Sequence, residues 1–177
     1  RGEATNFKLP PAAVSKKVLV VGGGPGGLEI ARVAAQRGHK VTLMEKQAKL
    51  GGEVKIAALS LDKEVLGEFI AWQEKECRKL GVTIELNKEV NTQVIEEFKS
   101  DTVIVSTGVI PNKLSIPGID KAHVVTADLV FIGKASLGKK IVVAGGEMIG
   151  IEVAEFIIHN GLAKDVTLVD RGPVEQL

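Results

Sequence analysis

The sequence predicts an α/β fold made of two parallel-sheet units, the second of them truncated. Three observations carry this. The glycine-rich turn Gly22-Gly23-Gly24-Pro25-Gly26-Gly27 directly follows the apolar run Val18–Val21. A second turn, Gly145-Gly146-Glu147-Met148-Ile149-Gly150, directly follows Ile141–Ala144. Each turn then leads through a stretch of helical periodicity to another apolar run that ends in a carboxylate, Glu45 in the first case and Asp170 in the second.

The elements follow in order. Residues 1–16, with Pro10 and Pro11, read as a linker or arm. Val18–Val21 is apolar throughout, as a strand covered on both faces of a parallel sheet must be. A helix is expected from about Gly27 to Arg37, with Ile30, Val33 and Ala34 at helical spacing, closed by Gly38. Val41–Glu45 is the next strand, parallel to the first through a right-handed crossover. A long amphipathic helix is predicted from Lys63 to Leu80, its apolar face made of Leu66, Phe69, Ile70, Trp72 and Leu80 and its end marked by Gly81. Val82–Leu86 alternates as a strand, Asn91–Lys99 reads as a turn with a short helix, and Thr102–Val105 as a buried strand. Pro111, Pro117 and Gly118 then interrupt regular structure. Beyond them the strand Ile141–Ala144, helix Ile149–Asn160 and strand Val166–Asp170 repeat the first device. The expected division is therefore 1–16 arm, 17–111 first domain and 112–177 partial second domain.

The first turn has the spacing Gly22-x-Gly24-x-x-Gly27 between a strand and a helix, and Glu45 ends the next strand. This is the Rossmann dinucleotide fingerprint in its full context. The first glycine permits the tight turn, the second admits a pyrophosphate to the backbone, and the third lets helix and strand pack closely. The pyrophosphate is held by amides at the helix N-terminus and by the helix dipole. A carboxylate at Glu45 accepts both ribose hydroxyls and repels a 2′-phosphate. The prediction is thus a Rossmann-like parallel-sheet dinucleotide-binding unit followed by a second, truncated Rossmann-like unit. In that second unit Gly145, Gly150 and Asp170 match, but Glu147 stands where the phosphate-facing glycine belongs. Like charges about 4 Å apart cost roughly 4 kcal/mol at an effective dielectric near 20. Asp170 favours NADH, whereas its neighbour Arg171 leaves NADPH open.

Composition narrows the alternatives. A net charge of +1 makes no case for nucleic acid or an anionic membrane surface, and no apolar run is long enough to span a bilayer. With 3% aromatic residues there is little to stack on single-stranded bases. Cys77 is the only cysteine, which excludes an internal disulfide and a multi-thiolate metal site; it reads as a small, partly buried filler. His39, His123 and His159 are scattered, and Glu74, Lys75, Glu76, Arg78 and Lys79 form a solvated helix face. The polar N-terminus resembles neither a signal nor a transit peptide, so a cytoplasmic setting is expected. The absence of tyrosine removes the catalytic acid of a short-chain dehydrogenase.

Lys17–Gly27, Leu50-Gly51-Gly52, Ser106-Thr107-Gly108 and Gly145–Glu152 recur in this order in two-dinucleotide-binding flavoproteins. Gly51-Gly52-Glu53 leading to Ile56-Ala57-Ala58, and Val124–Asp128 leading to Gly133-Lys134-Ala135, resemble more closely the C-terminal region of the 2,4-dienoyl-CoA reductase and trimethylamine dehydrogenase group. The resemblance covers about Arg1 to Asp170. It implies that a barrel carrying FMN and an iron–sulfur cluster belongs to an absent N-terminal part of a larger oxidoreductase. It further implies FAD, or ADP, at the first unit, with Gly22, Gly24, Pro25 and Gly26 at the pyrophosphate. Glu45 would then bind the ribose and Lys46 lie near the adenosine. Gly52 would flank the phosphates, Val90 the adenine, and Thr107 and Gly108 the far side of the nucleotide. NAD(P)H would bind at the second unit. No redox cysteine follows Gly52, in keeping with the barrel-linked group rather than with disulfide reductases. The family's returning segment, which contacts the ribityl chain, is missing, so both sheets are expected to be incomplete and to invite self-association at their edges. Two functions follow: hydride transfer from NAD(P)H to flavin within the parent enzyme, or a non-catalytic ADP-binding module with a degenerate second site.

Overall fold

The structure is a computed structural model that describes residues 9–110 and 116–172. Its described residues fall into two compact units. Unit 1 comprises those within Arg1–Val54 and Gly67–Val109, and unit 2 those within Lys55–Leu66 and Ile110–Leu177. Arm residues 1–8, Pro111 and residues 112–115 and 173–177 lie outside the described part.

Unit 1 is built on a parallel sheet. Its strands are β1 (Lys17–Val21), β2 (Lys40–Met44), β3 (Thr83–Glu85) and β4 (Thr102–Val105), in the order β3-β2-β1-β4. β1 pairs in register with both neighbours, Val20 lying opposite Leu43 on one side and Ile104 on the other. Leu19 and Val20 point to opposite faces, and both are fully buried, so β1 is covered on each side. Helix α1 (Pro25–Gln36) follows the glycine turn and buries Leu28 and Ala31. It begins at Pro25 rather than at Gly27, because proline at the first helical position costs no hydrogen bond and brings a helical φ. The short α2 (Val54–Ala57) has no counterpart among the expected elements; α3 (Glu64–Lys79) is the long helix expected. α4 (Thr92–Phe98) is capped by the Asn91 side chain, which accepts from the Val94 amide at 3.0 Å.

The apolar face of α3 differs from the one expected. Ile70, Gln73 and Cys77 are buried, whereas Phe69 and Trp72 remain 45% and 46% exposed and stack on each other, and Leu80 is exposed as well. A stripe at i, i+3 and i+7 is what reaches the sheet-covering layer, and the two aromatic residues flank it. Cys77 is wholly buried, not partly so. Residues 9–16 pass the end of α1, where the Ala12 amide donates to Arg37 O and the Ser15 hydroxyl to Gly38 O.

Unit 2 holds α5 (Ala127–Phe131), β5 (Lys140–Ala144), α6 (Met148–His159) and β6 (Asp165–Val169), with β5 and β6 parallel and paired from Lys140–Asp165 to Ala144–Val169. Val130, Val143, Val153 and Ile157 form its core, bordered by an edge-to-face contact of Phe131 and Phe156. An ion pair of Lys63 with Glu152 ties the 55–66 segment to α6. Three helices end alike: the Gly38 and His39 amides close α1, Gly81 and Val82 close α3, and Gly161 and Leu162 close α6. Each glycine has positive φ, the paired reach-back pattern of a Schellman cap.

Candidate functional site

The first turn is shaped by close approaches. Gly22 has φ +106°, and its amide donates to Met44 O at 2.8 Å. A Cβ there would lie 2.3 Å from Ser106 O, because the chain leaving β4 crosses it; the Ser106 amide donates to Val21 O. A Cβ on Gly27 would lie 1.9 Å from Gly22 O, and one on Gly23 2.4 Å from Leu50 Cδ2. At Gly22 and Gly27 the obstacle is backbone, so the protein itself demands glycine there; at Gly23 it is the tip of the Leu50 side chain. Gly24 is different. Its φ of −72° and ψ of 177° suit any residue, and a Cβ on it would meet no heavy atom within 4 Å. Gly52 packs beside it, its own Cβ position being 3.3 Å from Gly24 Cα, and the Gly51 amide donates to Gly23 O at 2.8 Å.

Glu45 follows β2 directly and is only 8% exposed. Its Oε2 accepts from the Gly23 amide at 2.7 Å and its Oε1 from the Gln47 amide at 2.8 Å. The backbone is fixed too: the Glu45 amide donates to Glu85 O and its carbonyl accepts from the Lys88 amide. Each carboxylate oxygen keeps a further lone pair for a hydroxyl donor. Gly22, Gly23, Gly24, Pro25, Gly26, Gly27, Glu45, Gly52 and Thr107 are thus assembled around one turn. Lys46, Val90 and Gly108 sit on the segments that leave Glu45, Lys88 and Ser106.

Unit 2 repeats this geometry. Gly145 has φ +115°, and its amide donates to Val169 O at 2.8 Å. A Cβ on Gly150 would lie 1.8 Å from Gly145 O. Asp170 Oδ2 accepts from the Gly146 amide at 2.6 Å and Oδ1 from the Gly172 amide at 2.8 Å, as Glu45 does from Gly23 and Gln47. These two amides hold the Asp170 carboxyl below the usual carboxylate range, with smaller help from Arg171. Glu147 occupies the place of Gly24, with φ −76° and ψ 177°, and is exposed. The carboxylate-to-amide links from Glu45 to Gly23 and from Asp170 to Gly146 are not deducible from spacing, although acidic residues at matching positions signal them. Ser106, which sits 3.3 Å from the Cβ position of Gly26, stands out in the sequence only as part of a motif.

Two further features are absent among the described residues. No group of three or more His, Cys, Asp or Glu could hold a metal there, and no helix is long and apolar enough to cross a membrane. Cys77 donates its thiol to Leu28 O at 3.3 Å, and burial pushes that thiol up to about 11. It is an inert core group rather than a redox centre.

Both strand–turn–helix–strand units and both carboxylate latches fall within residues 16–175, which match the pyridine nucleotide-disulphide oxidoreductases. The chain belongs to this family. It is similar to a cinnamate reductase of Clostridium sporogenes, 40% identical over 169 residues, which are 96% of this chain and 25% of that protein. An NADH oxidase of Thermoanaerobacter brockii is 38% identical over 95% of this chain and 26% of its own length. Among solved structures, a 2-naphthoyl-CoA reductase complex superposes with a TM-score of 0.87 at 40% identity, over 94% of this chain and 25% of that one. Within the pyridine nucleotide-disulphide oxidoreductases this is therefore an NAD(P)H:flavin oxidoreductase-like domain, related to the 2,4-dienoyl-CoA and naphthoyl-CoA reductase group, as the resemblance implied. It spans about a quarter of the length of these relatives.

Proposed function

We propose that this chain is the dinucleotide-binding portion of a flavin-dependent NAD(P)H oxidoreductase, with FAD or ADP at the turn of unit 1 and NAD(P)H at that of unit 2. The FMN and iron–sulfur barrel belongs, on this reading, to the other three quarters of the parent protein. The observation that carries it is Gly24: its backbone suits any residue and a Cβ on it would meet no heavy atom within 4 Å, so the glycine there leaves open space in which a phosphate fits. When bound, nicotinamide and flavin supply the hydride chemistry. The residues of this chain bind and orient. Pro25 has no amide hydrogen, so Gly26 and Gly27 are the first-turn donors aimed at the phosphates. Glu45, latched by Gly23 and Gln47, presents its remaining lone pairs to the ribose hydroxyls and disfavours a 2′-phosphate. Lys46, Gly52, Val90, Thr107 and Gly108 would border the rest of the nucleotide.

Glu147 favours a second reading for unit 2, in which the fold persists as support while nucleotide binding is lost and the chain serves as an ADP-binding module. The absorbance spectrum of the purified chain, followed by identification of nucleotide released on acid denaturation, separates the two. A yellow protein that releases FAD and is bleached by NADH supports the oxidoreductase reading. A colourless protein that binds ADP supports the module. A folded chain that binds neither ADP nor FAD in a calorimetric titration overturns both.

A further inference from the structure

Helix α3 buries a polar residue that its packing does not require. Gln73 is 1% exposed and lies between Ile70 and Cys77 on the stripe that faces α1. Its neighbours on α1 are both acceptors: Nε2 is 3.2 Å from Pro25 O and 3.5 Å from Glu29 Oε2. Only the amide nitrogen can face them, so Oε1 is left buried without a partner. An orphaned acceptor of this kind is destabilising, because its lost hydration is not replaced. A methionine would fill the same length without that cost. Glu29 does not compensate, since its carboxylate is already held by Arg32 at 2.7 and 2.9 Å.

What Gln73 does hold is the Pro25–Gly26 peptide. That unit is planar and trans, so its N–H points opposite to its C=O. Fixing Pro25 O from the side of α3 therefore fixes the direction in which the Gly26 amide points out of the helix N-terminus. Because Pro25 contributes no donor, the Gly26 amide is the first donor that α1 itself offers. We infer that Gln73 is a positioning residue for the phosphate-binding turn, aiming the Gly26 and Gly27 amides through the Pro25 carbonyl. This rests on the reading that unit 1 binds the pyrophosphate of FAD or ADP.

The test is Gln73→Met, which keeps the length while removing both the donor and the orphaned acceptor. Three quantities are measured: the urea midpoint, NMR order parameters of the Gly26, Gly27 and Leu28 amides without nucleotide, and affinities for ADP and adenosine. The expected result is a urea midpoint equal to or above that of the unaltered chain, with lower order parameters at Gly26 and Gly27. ADP binding should weaken about fivefold to tenfold, the loss of one ordinary hydrogen bond, while adenosine binding is unchanged. Unchanged order at these amides overturns the inference, and so does parallel weakening of ADP and adenosine together with a lowered midpoint. Gln73→Glu gives a second reading, since it restores a donor only while protonated. Its ADP affinity should recover as pH falls relative to that of the unaltered chain, and a parallel profile counts against the inference. If the unaltered chain binds no ADP, the proposed function fails, whereas the amide order parameters still decide the role of Gln73.

Discussion

The two glycine turns have nearly the same backbone, and of the three positions at which they differ one, Gly24 against Glu147, has a backbone that any residue can adopt. Gly22 and Gly145 both need positive φ, and Gly27 and Gly150 both leave less than 2 Å between a Cβ and the carbonyl oxygen of the turn's first glycine. Both units also latch the turn with a carboxylate from the end of the second strand. Gly24 and Glu147, however, share an extended conformation open to any residue. The glycines that positive φ or a close backbone contact requires are therefore kept in both units, whereas the position open to any residue is Gly24 in unit 1 and Glu147 in unit 2. A fingerprint read as a string merges required and open positions; the structure separates them.

The largest expected effect comes from exchanging the residues at the Gly24 and Glu147 positions. Gly24→Glu should leave the stability of unit 1 within about 0.5 kcal/mol, as for a surface substitution. It should weaken ADP binding by up to about a thousandfold, from a like-charge cost of roughly 4 kcal/mol. Glu147→Gly should tighten NADH binding at unit 2. Calorimetric titration of both variants checks this, and an NADH affinity indifferent to Glu147→Gly would remove the carboxylate as the obstacle. The shared glycines should behave in the opposite way. Gly27→Ala and Gly150→Ala should each destabilise their own unit by about 3 kcal/mol or more, because backbone oxygen blocks the added methyl and the chain must move. Urea unfolding followed by residue-resolved exchange assigns each loss to its unit. A Gly27→Ala chain with an unaltered midpoint would contradict the packing described for the turn.

Much of this comparison is legible in the sequence, for a physical reason. Strand β1 and both turns announce themselves because a two-sided parallel strand must be apolar throughout and a positive-φ turn needs glycine; β4, expected to be buried, instead lies at the edge of its sheet with Val105 68% exposed. The helices after the two turns read one or two residues late, since glycine and proline suppress helical periodicity where Pro25 in fact opens α1. α2 and α5 are too short, at four and five residues, for periodicity to register. The face of α3 is misjudged from sequence because polarity stands in for burial. Phe69 and Trp72 look like core and are half exposed, whereas Gln73 looks like surface and is hidden by its contact with Pro25, which no local pattern encodes. The latches from Glu45 to Gly23 and from Asp170 to Gly146 join residues more than twenty positions apart, so they become visible only once the strands are paired.

The units should also part company at alkaline pH. The thiol of Cys77, in unit 1, titrates near 11 in the folded state against 9.0 for the ordinary group. Between these values the unfolded chain releases a proton that the folded chain retains, so stability falls as pH rises from about 9 and levels beyond about 11. Two pH units amount to about 2–3 kcal/mol. Unit 2 has no cysteine and escapes this effect. Urea midpoints of the unaltered chain and Cys77→Val, compared from about pH 8 to 11, should diverge for unit 1 alone, and parallel curves would contradict a buried, protonated thiol.

The smallest difference lies on the acid side and belongs to unit 2. Asp170 is held below its ordinary value by the Gly146 and Gly172 amides. A depressed carboxyl contributes stability that is present above the unfolded value, 3.8, and is lost as pH falls through the lower folded value. Unit 2 should therefore loosen in acid below about pH 4, and Asp170→Asn should flatten that part of its profile. An asparagine oxygen can still accept one amide, so near neutral pH the variant should lose one of two latches rather than unfold. Exchange at the Gly146 and Gly172 amides reads this directly. If both amides stay protected in Asp170→Asn, and the acid limb of unit 2 is unchanged, the carboxylate does not latch the second turn. The correspondence between Glu45 and Asp170 would then be one of position only.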